Sequence, residues 1–109
     1  MSKTWSEWQR FPDPRYGEIL VAPFGVGCYE LRLRKENVLC GRGKNVAFRM
    51  TSLLPRPYGQ GTRKNAEKRN YVFKHLGHIE YRTIPCVDDD EAKKIETELR
   101  RKSNYRFHT

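Results

Sequence analysis

Residues 25–49 read Gly25-Val-Gly27-Cys28-Tyr29-Glu30-Leu31-Arg32-Leu33-Arg34-Lys35-Glu36-Asn37-Val38-Leu39-Cys40-Gly41-Arg42-Gly43-Lys44-Asn45-Val46-Ala47-Phe48-Arg49. From Tyr29 to Arg34 apolar and polar residues alternate strictly, the period-2 pattern of a half-buried strand, with Tyr29, Leu31 and Leu33 facing a core and Glu30, Arg32 and Arg34 on a wet face. Lys35-Glu36-Asn37 is short and polar, and Val38-Leu39-Cys40 is β-prone again, so an antiparallel hairpin is expected, with Gly41 ending its second strand. Beyond Gly41 the apolar period lengthens to that of a helix over about Lys44 to Leu54, burying Val46, Ala47, Met50, Leu53 and Leu54, with Pro55 as its stop. On that helical wheel Arg49 falls beside Val46 and Leu53 at the edge of the apolar stripe, from where its guanidinium can reach over the sheet.

The whole chain of 109 residues suffices for one domain with one modest core. Its 22 Lys+Arg against 13 Asp+Glu, a net charge of +9, favour a polyanionic partner, nucleic acid before an acidic membrane surface. No run of ~18 apolar residues and no signal-peptide pattern occurs, so a soluble intracellular protein is expected. Three cysteines, Cys28, Cys40 and Cys86, without C-x-x-C pairing argue against both a disulfide framework and a zinc ribbon. Cys28 and Cys40 fall on neighbouring strands, and small buried thiols account for all three. His75 and His78 fit no usual zinc spacing.

Ahead of the hairpin, Thr4-Trp5-Ser6-Glu7 has the form of a capping box, predicting a short helix that ends before Pro12 and Pro14. Trp5 and Trp8 on that segment either staple it to the domain or stack on a partner. A strand is expected near Tyr16 to Val21. Pro23 to Gly27 is a glycine-rich approach where backbone can come close to a ligand. After the first helix, the loop Pro55-Arg56-Pro57-Tyr58-Gly59-Gln60-Gly61-Thr62-Arg63-Lys64 interleaves Arg56, Arg63 and Lys64 with Tyr58, a composition that serves either a solvated connector or a phosphate-gripping loop. Together with Arg42 and Lys44 at the helix entrance and Arg69 at the apolar border of a second helix, these residues form the candidate nucleic-acid-binding set.

That second helix carries Ala66, Val72, Phe73 and Leu76 and stops at Gly77. His78 to Ile84 alternates as a third strand, ended by Pro85. Asp88-Asp89-Asp90-Glu91 supplies the cap and acidic first turn of the last helix, where the helix dipole favours negative charge, and needs no metal to explain it. Glu96 lies on the border of the stripe Ala92, Ile95 and Leu99, and a carboxylate on a packing side needs a positive partner: Arg49, another basic group or a metal ion. The fold class expected is α+β, a small three-stranded antiparallel sheet flanked by helices, with an N-terminal extension over residues 1–22 and the domain proper over 23–109.

Gly27-Cys28-Tyr29, Leu39-Cys40-Gly41, the eight-residue step from Gly41 to Arg49, and Glu96 within Glu91-Ala92-Lys93-Lys94-Ile95-Glu96 together resemble the GIY-YIG nuclease superfamily. The resemblance covers about residues 23–109. It implies a metal-dependent DNA endonuclease using a single Mg2+ or Mn2+, with RNA left open as a substrate. By the same resemblance Glu96 holds the metal, Arg49 binds the scissile phosphate or orients the water, and Tyr29 helps to activate that water. A tyrosine titrates near pH 10 when unperturbed, so it needs a neighbouring cation to act as a base. Leu39 stands where the second motif has a tyrosine, and His108 where the terminal segment has an asparagine. Either Tyr29 alone suffices, or Tyr58 or Tyr71 supplies the missing hydroxyl, or cleavage is lost and a nucleic-acid-binding module remains. An adaptor for protein partners, using the tryptophan arm, is a third reading. With no separate targeting module visible, specificity is either absent, created by a homodimer, or borrowed from a protein partner.

Overall fold

The computed structural model describes residues 4–54 and 66–107. The hairpin organises the chain as its alternation predicts: β2 (Gly27–Leu33) pairs antiparallel with β3 (Glu36–Gly43) and, on its other side, with β4 (Ile79–Pro85). The turn comes one residue earlier than expected, at Arg34 and Lys35, where Arg34 adopts φ 58°, the left-handed geometry that a two-residue hairpin loop demands. Glu36 and Asn37 therefore belong to β3. A bulge between Leu31 and Arg32 leaves Val38 as an extra residue, so Val38 and Leu39 are both buried.

β3 also runs past Gly41 instead of ending there: Gly41 pairs with Tyr29, Arg42 with Cys28 and Gly43 with Gly27. Gly27 is forced by crowding, because a Cβ there would sit 2.3 Å from the Ile84 carbonyl oxygen.

The sheet has four strands where three were expected, in the order β1-β4-β2-β3, the fourth being β1 (Gln9–Arg10) from the N-terminal arm. Thr4 to Trp8 is not helical. Its backbone runs beside β4, with Ser6 N–H donating to the Thr83 carbonyl at 2.8 Å and Thr83 N–H donating to Ser6 Oγ at 2.9 Å. A capping box ahead of a one- or two-turn helix gains little in water, whereas the open edge of β4 offers a row of unpaired backbone groups. Trp5 and Trp8 flank the Arg82 guanidinium at 4.5 and 4.7 Å, which is the stapling arrangement. No strand forms at residues 16–21 either. A single 3-10 turn at Pro14–Tyr16, ended by Gly17 at φ 77°, leads into irregular chain, and the backbone of Val21 is held on both its N–H and its carbonyl by the Tyr81 hydroxyl.

Both faces of the sheet are covered. Tyr29, Leu31, Leu39 and Tyr81 pack against Phe11, Val46, Met50, Leu53 and Val72, which come from the arm, from α1 (Val46–Met50) with its following 3-10 turn (Thr51–Leu53), and from α2 (Ala66–Lys74). The expected helix over about Lys44 to Leu54 is thus divided, starting at the cap Asn45, whose side chain accepts from Phe48 N–H at 3.0 Å. The face assigned to water by the alternation is instead covered by α3 (Asp89–Lys102) and the arm, with Cys28, Ile84 and Ala92 at its centre and Glu30 only 3% exposed. α3 is capped by Asp88 and carries acids in its first turn and Arg100, Arg101 and Lys102 in its last, the dipole-matched pattern that the sequence predicts. Among the described residues no helix is long and apolar enough to cross a membrane.

All three cysteines are free thiols. Cys28 and Cys40 share a face two residues out of register, since Cys28 pairs with Arg42 and Cys40 with Glu30. Burial pushes the Cys28 thiol from 9.0 up to about 12, and the Tyr105 and Tyr81 hydroxyls are raised by burial as well. These groups favour their neutral forms in the folded state, so their contribution is fully present below about pH 9 and is lost as pH climbs toward 12. We predict a urea midpoint that is flat through neutrality and falls steeply above about pH 9, with a shallower alkaline limb in Cys28→Ala.

A cationic cleft at the edge of the sheet

Where edge strand β3 passes between the start of α1 and the middle of α3, an open cleft of about 460 Å³ forms. Each wall follows from a local requirement. Tyr29 points to the core side of β2 and is 5% exposed, and its ring lies across Gly41, where a Cβ would come within 2.5 Å of the hydroxyl oxygen. The glycine in mid-strand is a notch for that ring. Gly43 does the same for Arg49, whose Cβ would be 3.2 Å from a Cβ at position 43. The Asn45 cap fixes where α1 begins, so that Val46, Ala47 and Met50 are buried and Arg49 turns outward into the cleft with Lys44 beside it.

Glu96 enters from α3, one turn after the fully buried Ala92, with its side chain 13% exposed. Tyr29, Arg49 and Glu96 thus line one space, with Arg42, Lys44 and Arg100 around them. The positive partners of Glu96 are Arg42 and Arg100 and not Arg49: Arg42 Nε lies 3.3 Å from Oε1 and Arg100 Nη2 3.3 Å from Oε2. Arg42 also donates to Asp89 at 2.7 Å, so acids and arginines alternate along the floor as Asp89, Arg42, Glu96, Arg100. At 3.3 Å both pairs on Glu96 are looser than the 2.7–2.9 Å usual for a charge-assisted bond, and the carboxylate lines the cleft with acceptor capacity to spare.

The electrostatics of Tyr29 are decided by burial. Removal from water raises its pKa, while the charge and hydrogen bonding of Arg49 pull it down without prevailing. At neutral pH the group presented to the cleft is a phenol. Lys68 on α2, which does not line the cleft, is half-buried, and its ammonium is destabilised first by burial and then by the charges of Arg49 and Arg100. No described carboxylate pairs with Lys68 or Arg49, and a surplus of positive charge around the cleft favours an anion there.

Arg42 and Lys44 from the sequence-predicted binding set line the cleft; Arg69 is half-buried on α2 and does not. Arg56, Tyr58, Arg63, Lys64 and His108 lie outside the described residues. Leu39 is fully buried against the core and contributes nothing to the cleft, and Tyr71 is occupied elsewhere, in tilted contact with His75 and edge-on contact with Phe107 under the Arg106 guanidinium. Sequence reasoning missed Asp89, Lys68 and Arg100. The i,i+4 spacing of Glu96 and Arg100 was a usable signal for the last of these. Lys68 had none, because its exposure to the charges of Arg49 and Arg100 depends on how the helices dock.

Gly41→Ala is expected to cost about 1–3 kcal/mol by overpacking, since either the Tyr29 ring or the strand must move. The penalty should shrink in a Tyr29→Ala background, and urea unfolding of the four proteins of that cycle checks it. Equal penalties in both backgrounds would mean that the notch is unrelated to the ring.

No protein-family model matches the chain, and neither does any curated protein. Among solved structures, the chain matches the GIY-YIG N-terminal endonuclease domain of UvrC from Thermotoga maritima bound to its catalytic magnesium, with a TM-score of 0.65 at 21% identity, covering 91% of this chain and 100% of that one. A point mutant of the same domain, carrying phenylalanine for a tyrosine and bound to its catalytic divalent cation, matches equally in TM-score and coverage at 22% identity. The fold of this chain is the GIY-YIG endonuclease fold.

Proposed function

We propose that the protein is an endonuclease that hydrolyses phosphodiester bonds in DNA with the help of one divalent cation, Mg2+ or Mn2+. One observation carries the reading: a phenol, a guanidinium with no described carboxylate partner and a carboxylate share an open cleft rimmed by further cations, on the fold of a magnesium-bound nuclease domain.

The donor set decides how a metal could be held. Among the described residues no group of three or more His, Cys, Asp or Glu could hold an ion by itself. A hard cation that retains most of its water needs only one or two carboxylates plus a substrate phosphate, and Glu96 in a wet polar cleft fits that requirement. When bound there, such an ion supplies Lewis-acid polarisation of a phosphoryl oxygen and a water of lowered pKa. The remaining work belongs to side chains. Arg49, which has no carboxylate partner among the described residues, takes the scissile phosphate, and Lys44 and Arg42 neutralise the phosphates beside it. Tyr29 acts as a protonated hydroxyl whose oxygen accepts a hydrogen bond from the attacking water and orients it, the water's proton leaving to solvent, since burial keeps it from being a resident phenolate.

A second reading rests on an observation of its own. With Glu96 engaged by two arginines and Leu39 turned into the core, the same cleft could bind nucleic acid without cutting it. Incubating supercoiled plasmid with the protein and Mg2+ or Mn2+ separates the two. Nicking that needs the metal supports the nuclease; salt-sensitive binding without nicking selects the binding module. Absence of binding even at low salt would remove both and favour an adaptor for protein partners.

A further inference from the structure

Next to the cleft stands apolar surface that the proposed chemistry leaves unused. Phe24 is 86% exposed, Val87 74% and Phe48 68%. They belong to three separate segments that the backbone ties together: Ala47 N–H donates to the Pro23 carbonyl at 2.9 Å, Val46 N–H to the Gly25 carbonyl at 3.0 Å, and Cys86 N–H to the Val26 carbonyl at 2.8 Å. Residues 23–26 are therefore laced between the start of α1 and the connection from β4 to α3. All three residues thus belong to segments that are hydrogen-bonded to one another through the backbone.

Residues of the cleft lie in or beside the same segments. Phe48 directly precedes Arg49, Lys44 lies just before the cap of α1, and Asp89 follows Val87 by two residues. Scattered exposed apolar residues need no explanation, but two phenylalanines held out beside a cation-lined cleft are a different matter. A protein partner covering this rim would also have to cover Arg42, Lys44 and Arg49, in a chain of net charge +9. A ligand that is both polyanionic and carries flat apolar faces matches the whole surface, and nucleic acid is such a ligand when its bases are unstacked. In a continuous duplex those faces are hidden within the stack.

We propose that Phe24 and Phe48 form a base-stacking rim beside the phosphate cleft, so that the preferred ligand is nucleic acid with unpaired bases adjoining the bound phosphate. The proposal rests on the cleft being a phosphate-binding site.

The test compares native protein, Phe24→Ala, Phe48→Ala and the double variant for binding to a fluorescently labelled single strand and to a blunt duplex of equal length, across a salt series. Circular dichroism checks that each variant is folded. Native protein should prefer the single strand. Each alanine should weaken single-strand binding about tenfold, in line with the loss of one base–aromatic contact, while duplex binding and the salt slope stay unchanged. A 2-aminopurine placed in the single strand should be quenched by native protein and not by the double variant.

Unchanged single-strand affinity in both variants, equal losses on strand and duplex, or a native preference for duplex would each overturn the rim while leaving the cleft intact. Failure of the native protein to bind either ligand at low salt would overturn the cleft and the rim together. A shift in sedimentation of Phe48→Ala relative to native would show that the phenylalanine surface serves self-association, and that also overturns the proposal.

Discussion

Replacing Glu96 by glutamine is expected to abolish metal-dependent nicking while tightening the hold on nucleic acid. The two effects diverge because the carboxylate has two roles in the cleft. As the candidate metal ligand it supports several kcal/mol of transition-state stabilisation, so its loss should slow nicking by about a thousandfold or more. As the counter-ion shared by Arg42 and Arg100 it also subtracts one negative charge's worth of attraction for phosphate. Glutamine removes that negative charge from beside both guanidinium groups, Arg42 keeping its bond to Asp89, and the dependence of log K on log salt should steepen by up to about one. Stability should change little, since Arg42 and Arg100 are both about a third or more exposed and such pairs contribute about 1 kcal/mol or less. Nicking gels and anisotropy titrations on one preparation read both effects. A variant that nicks like the native protein would sink the assignment of Glu96, and one that loses binding along with nicking would point to misfolding or to a carboxylate needed to aim Arg42.

How much of this could be read from the residues follows a physical boundary. The hairpin was legible because the alternation from Tyr29 to Arg34 is local, and so were the caps and dipole-matched ends of the last helix. Gly41 was misread as a strand end because sequence exposes a glycine's freedom and not the ring that crosses it. The N-terminal arm was misread because Thr4 to Glu7 satisfies a local helix signature, while the hydrogen bonds that win come from Thr83, far along the chain. The wet face given to Glu30 and Arg32 is covered for a similar reason: alternation tells which residues share a side, and only the docking of α3 and the arm tells whether that side is dry. The gathering of Arg42, Arg49, Glu96 and Arg100 around one cleft lies beyond any pattern reading, since it depends on how a strand and two helices dock.

That covered face yields the largest stability effect to be expected from one substitution, at Glu30. Its Oε1 accepts from Arg82 Nε at 2.8 Å with Arg82 Nη2 at 2.7 Å, and its Oε2 accepts from the Tyr105 hydroxyl at 2.5 Å. Arg82 in turn lies against both tryptophans of the arm, while Trp8 also carries Arg32, which is paired with Glu80 at 2.9 Å. One carboxylate therefore ties the arm, the central strand and the C-terminal segment. Glu30→Ala would leave a guanidinium confined between two indoles with no counter-charge, together with a buried phenol lacking its acceptor. Breaking a buried pair from one side costs about 3–5 kcal/mol, and the partial exposure of Arg82 sets the expectation near 3. For a domain of this size that is a fall in melting temperature of roughly 15 °C. Glu30→Gln keeps an acceptor for Arg82 and should lose less. Replacing both partners, as in Glu30→Leu with Arg82→Leu, should recover part of the loss, because the desolvation penalty disappears with the second charge. Since Glu30 does not line the cleft, binding by Glu30→Ala well below its melting temperature should match the native protein. A single variant within 1 kcal/mol of native would mean that the arm and tail are held by packing alone, and the charged network would then be an accessory to the aromatic contacts around it.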